Sequence, residues 1–246
     1  MALHYQPKLD LSTGACTGVE ALIRWRHPER GLVPPSEFIP LAEQTALIGP
    51  LTDLVLRMAL LQASAWKEQG RPLSIAVNVS IRNLEDGSFP LKIASLLATY
   101  GVHPSALEIE VTETGLMSAQ NKVINALHSL RQLGVKVALD DFGVGQSSLA
   151  YLRNLPADVL KLDRSFIHDV SRDTKDQTIV QAIIGAAHKL EFEVVAEGIE
   201  DEPTYERLRS FACDFGQGYF IARPLSSTDF DGWLAARFQS GQYVWH

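Results

Sequence analysis

Acidic and amide side chains stand where apolar, strand-like runs end, and their repetition is the first chemical signal in this chain. Glu20 interrupts TGVEALI, with Arg24 just beyond it, and Asn78 closes SIAVN. Glu110 and Glu113 close LEIEVTE, and Asp140 and Asp141 close VKVALDD. Lys161 and Asp163 end DVLKLD, Glu197 and Glu200 end EVVAEGIE, and Gln217 falls within CDFGQGYF. Taken singly, a charge at a strand end is usually a solvated exit from the core. Strands that converge on one rim would bring these residues into one space, where an uncompensated ring of carboxylates is costly through repulsion and lost hydration. Divalent cations are the simplest compensation, and carboxylates with an amide oxygen suit hard ions such as Mg²⁺ and Mn²⁺. The seven histidines are scattered without HxxxH or HExxH spacing, which disfavours zinc. The adjacent Asp140 and Asp141 can bridge two ions about 3.5–4 Å apart, as in-line phosphoryl displacement requires, or serve as a plain cap or turn. Lys161 is unusual inside a Val/Leu strand. It is either an amine reaching solvent or a cation that orients an attacking water and balances charge.

These residues need elements to carry them. Strand-length apolar stretches lie at 3–9, 17–23, 74–79, 106–111, 135–139, 159–162, 193–196 and 214–219. SIAVNV, VKVALD and EVVAEG alternate little, as expected of strands covered on both faces. Between the stretches lie helical patterns. Residues 51–69 carry Leu54, Leu56, Met58, Leu61 and Ala65 and stop at Gly70 and Pro72, and residues 118–133 end at Gly134. After Asp173, the residues Ile179, Ala182, Ile183, Ala186 and Leu190 form an apolar stripe with a period of about 3.6. Residues 201–212 open on an acidic residue with Pro203 in the first turn. Such alternation implies parallel strands joined by right-handed crossovers, and eight of them in this length fit a closed, TIM-like (β/α)8 barrel. An open doubly wound sheet is the alternative. The first two strands are joined only by DLSTGAC, too short for a helix. They form an N-terminal hairpin, so one barrel strand runs antiparallel. DDFGVGQSSL reads as a rim loop, with phosphate cradling as the other option, and the tail SGQYVWH as a loosely docked closing segment.

Composition narrows the class. The 246 residues fit one domain spanning 1–246, and 46% hydrophobic with 21% charged residues is ordinary for a globular enzyme. The net charge of −7 argues against a duplex-coating nucleic-acid binder. Cys16 and Cys213 form no CxxC pair, which fits idle thiols in a reducing cytoplasm. The chain shows no leader and no apolar run near membrane-spanning length.

At these residues the chain resembles the EAL-domain family of bacterial cyclic di-GMP phosphodiesterases. The matching pieces are YQPKLDLSTG, GVEALIRWRHPERGLVPPSEFIPLAE, VNVS, LEIEVTET, LDDFGVGQSSL, LKLDRSFI, VVAEGIED and CDFGQGYFIARPL, which occur in family order across nearly the whole chain. The resemblance implies a barrel with one antiparallel strand, hydrolysis of cyclic di-GMP to linear pGpG, and two Mg²⁺ or Mn²⁺ ions. It implies that Glu20, Asn78, Glu110 and Asp140 hold the first ion, with Asp140 bridging. Asp141 and Glu197 would serve the second ion or its water, and Glu197 is also a general-base candidate. Lys161 would help hold the nucleophilic water, Arg24 a phosphate, and Gln217 the metal–water cluster. Gln6, Asp163, Glu200 and Pro224 are further candidates for nucleotide contacts. Glu113 is expected to anchor the loop after the paired aspartates, where Val144 and Gln146 replace the family's common Thr and Tyr. The resemblance also implies a cytoplasmic homodimer, with no membrane contact from this domain and upstream regulatory modules in many relatives.

Two other functions stay open. A receptor that binds the dinucleotide without cleaving it usually lacks an acidic position, and none is missing here. A scaffold reading rests only on Trp233, Tyr243 and Trp245, aromatic residues that more often pack.

Overall fold

The computed structural model describes residues 1–117, 121–143, 152–153 and 155–239. Its strands are β1 Ala2–Asp10, β2 Cys16–His27, β3 Gly31–Val33, β4 Ser74–Asn78, β5 Leu107–Thr112, β6 Lys136–Phe142, β7 Val159–Leu162, β8 Glu193–Ala196 and β9 Phe215–Gly216. They run in the order β1-β9-β8-β7-β6-β5-β4-β2-β3, and a further β1–β2 pairing closes eight of them into a barrel. That closure decides against the open sheet. β1 is antiparallel to both of its neighbours, and the β2–β4 to β8–β9 ladders are parallel. The N-terminal hairpin and the eight strands are therefore as expected. β3 was not foreseen: three residues after a polar turn carry no periodic signal. The last strand is shorter than the 214–219 stretch, with two residues in the ladder.

The helices are α1 Pro35–Glu43, α2 Ile48–Glu68, α3 Ile81–Leu84, α4 Phe89–Tyr100, α5 Glu113–Met117, α6 Asn121–Gln132, α7 Arg164–Ile167, α8 Thr174–Lys189, α9 Glu202–Ser210 and α10 Ser227–Gln239. Caps fix their starts. The carboxylates of Asp173 and Asp201 accept backbone N–H groups at the heads of α8 and α9. Two helix faces need correction. α2 buries Val55, Leu56, Ala59, Leu60, Ala63 and Trp66, whereas Leu54 and Leu61 of the expected stripe are exposed. α8 buries Val180, Ile183, Ile184 and Ala187, with Ile179 exposed. Both stretches are apolar over more than one face, so tertiary packing rather than periodicity selects the buried stripe.

Outward strand residues such as Ile75, Val77, Ile109, Leu139 and Val194 pack under the helices in the main core. Ala138, Val159 and Val195 form a second cluster with Phe215. They alternate with the outward set and so fill the barrel interior. Trp66 is fully buried against Tyr5 and Phe230, and its indole N–H donates to Asp231, which ties α2 and α10 to the hairpin. Trp233 stacks on Phe230, in keeping with packing. Val144, Gln146, the rest of 144–151, the 118–120 start of the second expected helix and the tail with Tyr243 and Trp245 lie outside the described residues. No described helix is long and apolar enough to cross a membrane.

Candidate active site at the barrel mouth

Side chains two residues apart on a strand share a face, so the interior residues climb each strand to its C-terminal end. Glu20, Asn78, Glu110, Asp140 and Lys161 reach that mouth from β2, β4, β5, β6 and β7, and Glu197 follows β8 directly. Lys161, 2% exposed, is the hub. Its Nζ lies 2.7 Å from Glu110, 2.8 Å from Glu197, 3.1 Å from Asp140 and 3.8 Å from Glu20. Asn78 donates its amide to Glu20 at 2.8 Å and to Glu110 at 2.9 Å. Gln217 donates to Glu20 at 2.6 Å and to Gln6 at 3.2 Å. Side chains carried by, or directly following, eight strands thus converge on one polar cluster.

The paired aspartates owe their position to a bulge. The β6–β7 register shifts between Leu139 and Phe142, and Asp141 takes φ 55°, a left-handed conformation uncommon for residues other than glycine. The Asp141 N–H donates to the Asp140 carboxylate at 3.0 Å, which helps an aspartate tolerate that backbone. The bulge frees Asp141 from strict alternation. Carboxylate oxygens of Asp140, Asp141 and Glu197 all lie within 4.8 Å of one another.

Electrostatics follow from burial. Burial, then the neighbouring Glu20, pushes the Glu110 carboxyl well above its ordinary range against the pull of Lys161. Burial raises Glu197 to about 7, with Lys161 opposing and Asp140 and Glu20 adding to the rise. Asp141 is raised by burial and by Asp140. Burial alone would lower Lys161, but Glu110, Glu197, Glu20 and Asp140 outweigh it and hold the amine well above its usual value. One ammonium is shared by four carboxylates, so the cluster carries excess negative charge. Its all-oxygen donor set fits a hard divalent cation, and Asp140, Asp141 and Glu197 lie close enough together that they could hold one.

Of the other candidates, Gln6 and Glu200 line a cleft together with Glu20, Asp140 and Glu197, whereas Arg24, Asp163 and Pro224 do not. Arg24 is half-buried on β2, its guanidinium donating to the Ile23 carbonyl at 3.0 Å. Asp163 caps α7 by accepting the Ser165 N–H, and Glu200 pairs with Arg164 at 2.9 Å. Pro224 is held beside β1, its carbonyl 3.3 Å from His4, while Tyr5 and Leu225 form an isolated bridge. Glu113 is not in the cluster: one carboxylate oxygen accepts the Gly143 N–H at 2.9 Å, at the head of the rim loop. Two clefts open on the mouth. The larger, about 660 Å³, runs from Asn78 and Glu110 past Leu22 and Ile23 to Ile39 and Ile48. The smaller, about 240 Å³, includes Glu20, Asp140, Glu197, Gln217 and Tyr219, and Leu22 borders both. Sequence reasoning missed Leu22, and it missed the Arg223 guanidinium stacked 4.1 Å over the Tyr219 ring. The four-residue spacing of that pair was its only trace in the sequence.

Comparison with known proteins agrees with the fold. A sequence profile of the EAL domain matches residues 1–224. A cyclic di-GMP phosphodiesterase of Pseudomonas aeruginosa is 49% identical over 232 residues, covering 94% of this chain and 40% of the relative. The cyclic di-GMP phosphodiesterase NbdA of the same organism is 44% identical, covering 96% and 30%. This chain therefore spans less than half the length of these curated relatives. The solved PaMucR phosphodiesterase, in complex with c-di-GMP, superposes with a TM-score of 0.87 at 39% identity over 93% of each chain.

Proposed function

Because this chain belongs to the EAL domain family, we propose that it hydrolyses cyclic di-GMP to linear pGpG with the help of two Mg²⁺ or Mn²⁺ ions. The observation that carries the reading is the convergence of Glu20, Asn78, Glu110, Asp140 and Glu197 around Lys161, with a cleft on either side. In this reading Glu20, Asn78, Glu110, Asp140 and Asp141 hold the ions. When bound, divalent cations supply Lewis-acid polarisation of the phosphate and acidify a water.

The chain's own residues do the rest. Lys161 places a fixed positive charge beside the attacking water and the phosphate. Glu197, whose carboxyl burial holds above its ordinary range when no cation is bound, is the base that accepts that water's proton. The water oxygen adds to phosphorus as its proton passes to Glu197, the bond from phosphorus to the 3′ oxygen breaks, that oxygen takes up a proton from solvent and leaves as a hydroxyl, and the product carries a 5′ phosphate. Arg24 grips a phosphate oxygen, while Gln217 orients Glu20. Gln6 and Glu200 contact the nucleotide in the smaller cleft, and Asp163 and Pro224 supply further nucleotide contacts. The larger, apolar-walled cleft suits a flat base. Glu113 steadies the rim loop through Gly143.

Purified protein incubated with cyclic di-GMP and Mg²⁺ or Mn²⁺ should release pGpG, and a chelator should stop it. No pGpG with either metal would sink the proposal, and tight binding without turnover would favour the receptor. The same family reading carries a cytoplasmic homodimer. A monomer by analytical ultracentrifugation at micromolar concentration would count against that part.

A further inference from the structure

Below the rim lies a second buried ion pair that the hydrolytic scheme leaves idle. Lys8 of β1 and Glu108 of β5 meet inside the barrel, the ammonium 3.0 Å from one carboxylate oxygen and 2.9 Å from the other. They are 6% and 3% exposed. Glu108 precedes Glu110 by two residues on one strand, so both side chains face the interior, one layer apart. Lys8 stands 5.5 Å over the Phe215 ring, which packs on the interior plug of Ala138, Val159 and Val195. Lys161 follows Val159 by two residues and rises from the same plug. The interior is therefore two-tiered, with Lys8 and Glu108 in the lower tier and Lys161 with the rim carboxylates in the upper. Among the described residues, Lys8 and Lys161 are the buried lysines.

Stability gives no reason for the lower tier. Replacing a buried ion pair with apolar side chains of similar volume is often neutral or stabilising, whereas removing one partner strands a charge. If Lys8 were absent, Glu108 would be a bare carboxylate beside the upper tier, and Lys161 would be the ammonium within its field. Resting on the rim as the hydrolytic centre, we infer that Lys8 is a positioning residue. By saturating Glu108 from both oxygens, it keeps Lys161 committed to Glu20, Glu110, Asp140 and Glu197.

The test compares the wild type, Lys8→Met and the double variant Lys8→Met/Glu108→Leu, by steady-state hydrolysis of cyclic di-GMP and by calorimetric titration with Mn²⁺ alone. Lys8→Met should lower kcat about tenfold with KM little changed. Mn²⁺ affinity should rise by roughly fivefold, because the rim loses part of its internal cation while the cluster stays acidic. The double variant should return both quantities towards the wild type. A purely structural role predicts the opposite pairing, slower turnover with weaker Mn²⁺ binding and no rescue, and that result overturns the inference. So does a Lys8→Met protein that matches the wild type in both measurements. If the wild type shows no turnover, the proposed activity fails on its own, and the direction of the Mn²⁺ change still decides the role of Lys8. Lys8→Gln, which keeps a donor to Glu108 without the charge, supplies the same comparison should Lys8→Met not fold.

Discussion

Asn78 is an exposed member of the mouth cluster, yet its one amide donates to two carboxylates from different strands, Glu20 and Glu110. Removing it leaves those carboxylates facing each other with only Lys161 between them. Asn78→Ala should therefore weaken Mn²⁺ binding by about 10–100-fold, as loss of a residue that orients metal ligands typically does. Calorimetric titration checks this, and unchanged affinity would assign Asn78 a passive place at the rim. Lys161→Met removes the charge that four carboxylates share. Turnover should fall at least a hundredfold while the folded protein still takes up cations, as equilibrium Mn²⁺ binding would show. Both residues were legible in the sequence because an inward polar side chain in a buried strand breaks an otherwise apolar run. Lys8 and Glu108 break their runs in the same way, but at the lower end of the barrel, where a strand-end rule does not look. Tyr219 and Arg223 were missed because they belong to an irregular segment without a period.

β9 shows how an element with almost no ladder still places a functional side chain. Phe215 and Gly216 are its ladder residues, and Gln217 reaches Glu20 only because the next residue, Gly218, lies against the backbone of Ile199. A Cβ at Gly218 would collide with the Ile199 carbonyl and amide, which a rigid backbone cannot relieve cheaply. Gly218→Ala should cost about 1–3 kcal/mol in chemical denaturation and should weaken cation binding as Gln217 moves away. Wild-type stability and affinity together would refute that account. The long strands and capped helices were readable because Val/Ile/Leu runs, acidic caps and terminal glycines act locally. The buried faces of α2 and α8 were not, since residues 51–61 and 179–190 offer apolar side chains on several faces and the barrel chooses among them. The β6 bulge was equally hidden. Adjacent aspartates read as a pair, but only the shifted register and the positive φ at Asp141 turn both towards the mouth.

Across the whole molecule, the barrel concentrates charge at one end, and stability should report it. Glu197 is raised from 4.5 to about 7 by burial, and Glu110 is raised in the same direction. A carboxyl whose folded pKa exceeds its unfolded value binds more protons in the native state, so its stabilising contribution is complete below about 4.5 and is lost as pH rises through about 7. For Glu197 that is on the order of 3 kcal/mol at most, because the proton is shared electrostatically with Lys161 and its neighbours. Asp10 and Asp201 act oppositely: burial of Asp10 is outweighed by hydrogen bonds from Ser12 and Thr13, Thr204 lowers Asp201, and their contribution fades only as pH falls below the carboxylate range. Between pH 5.5 and 8 the buried rim should dominate. In excess chelator, Tm should therefore fall across that interval, with each kcal/mol moving it by about 2–4 °C. Divalent cation at 100 times its Kd should add about 2.7 kcal/mol at the alkaline end, where the carboxylates are ionised and bind it best, and should flatten or reverse the slope. Differential scanning fluorimetry at matched ionic strength distinguishes the cases. A Tm that rises with pH in chelator, or one that Mg²⁺ and Mn²⁺ leave unmoved at pH 8, would mean that the mouth is neither the charged liability nor the cation site described above.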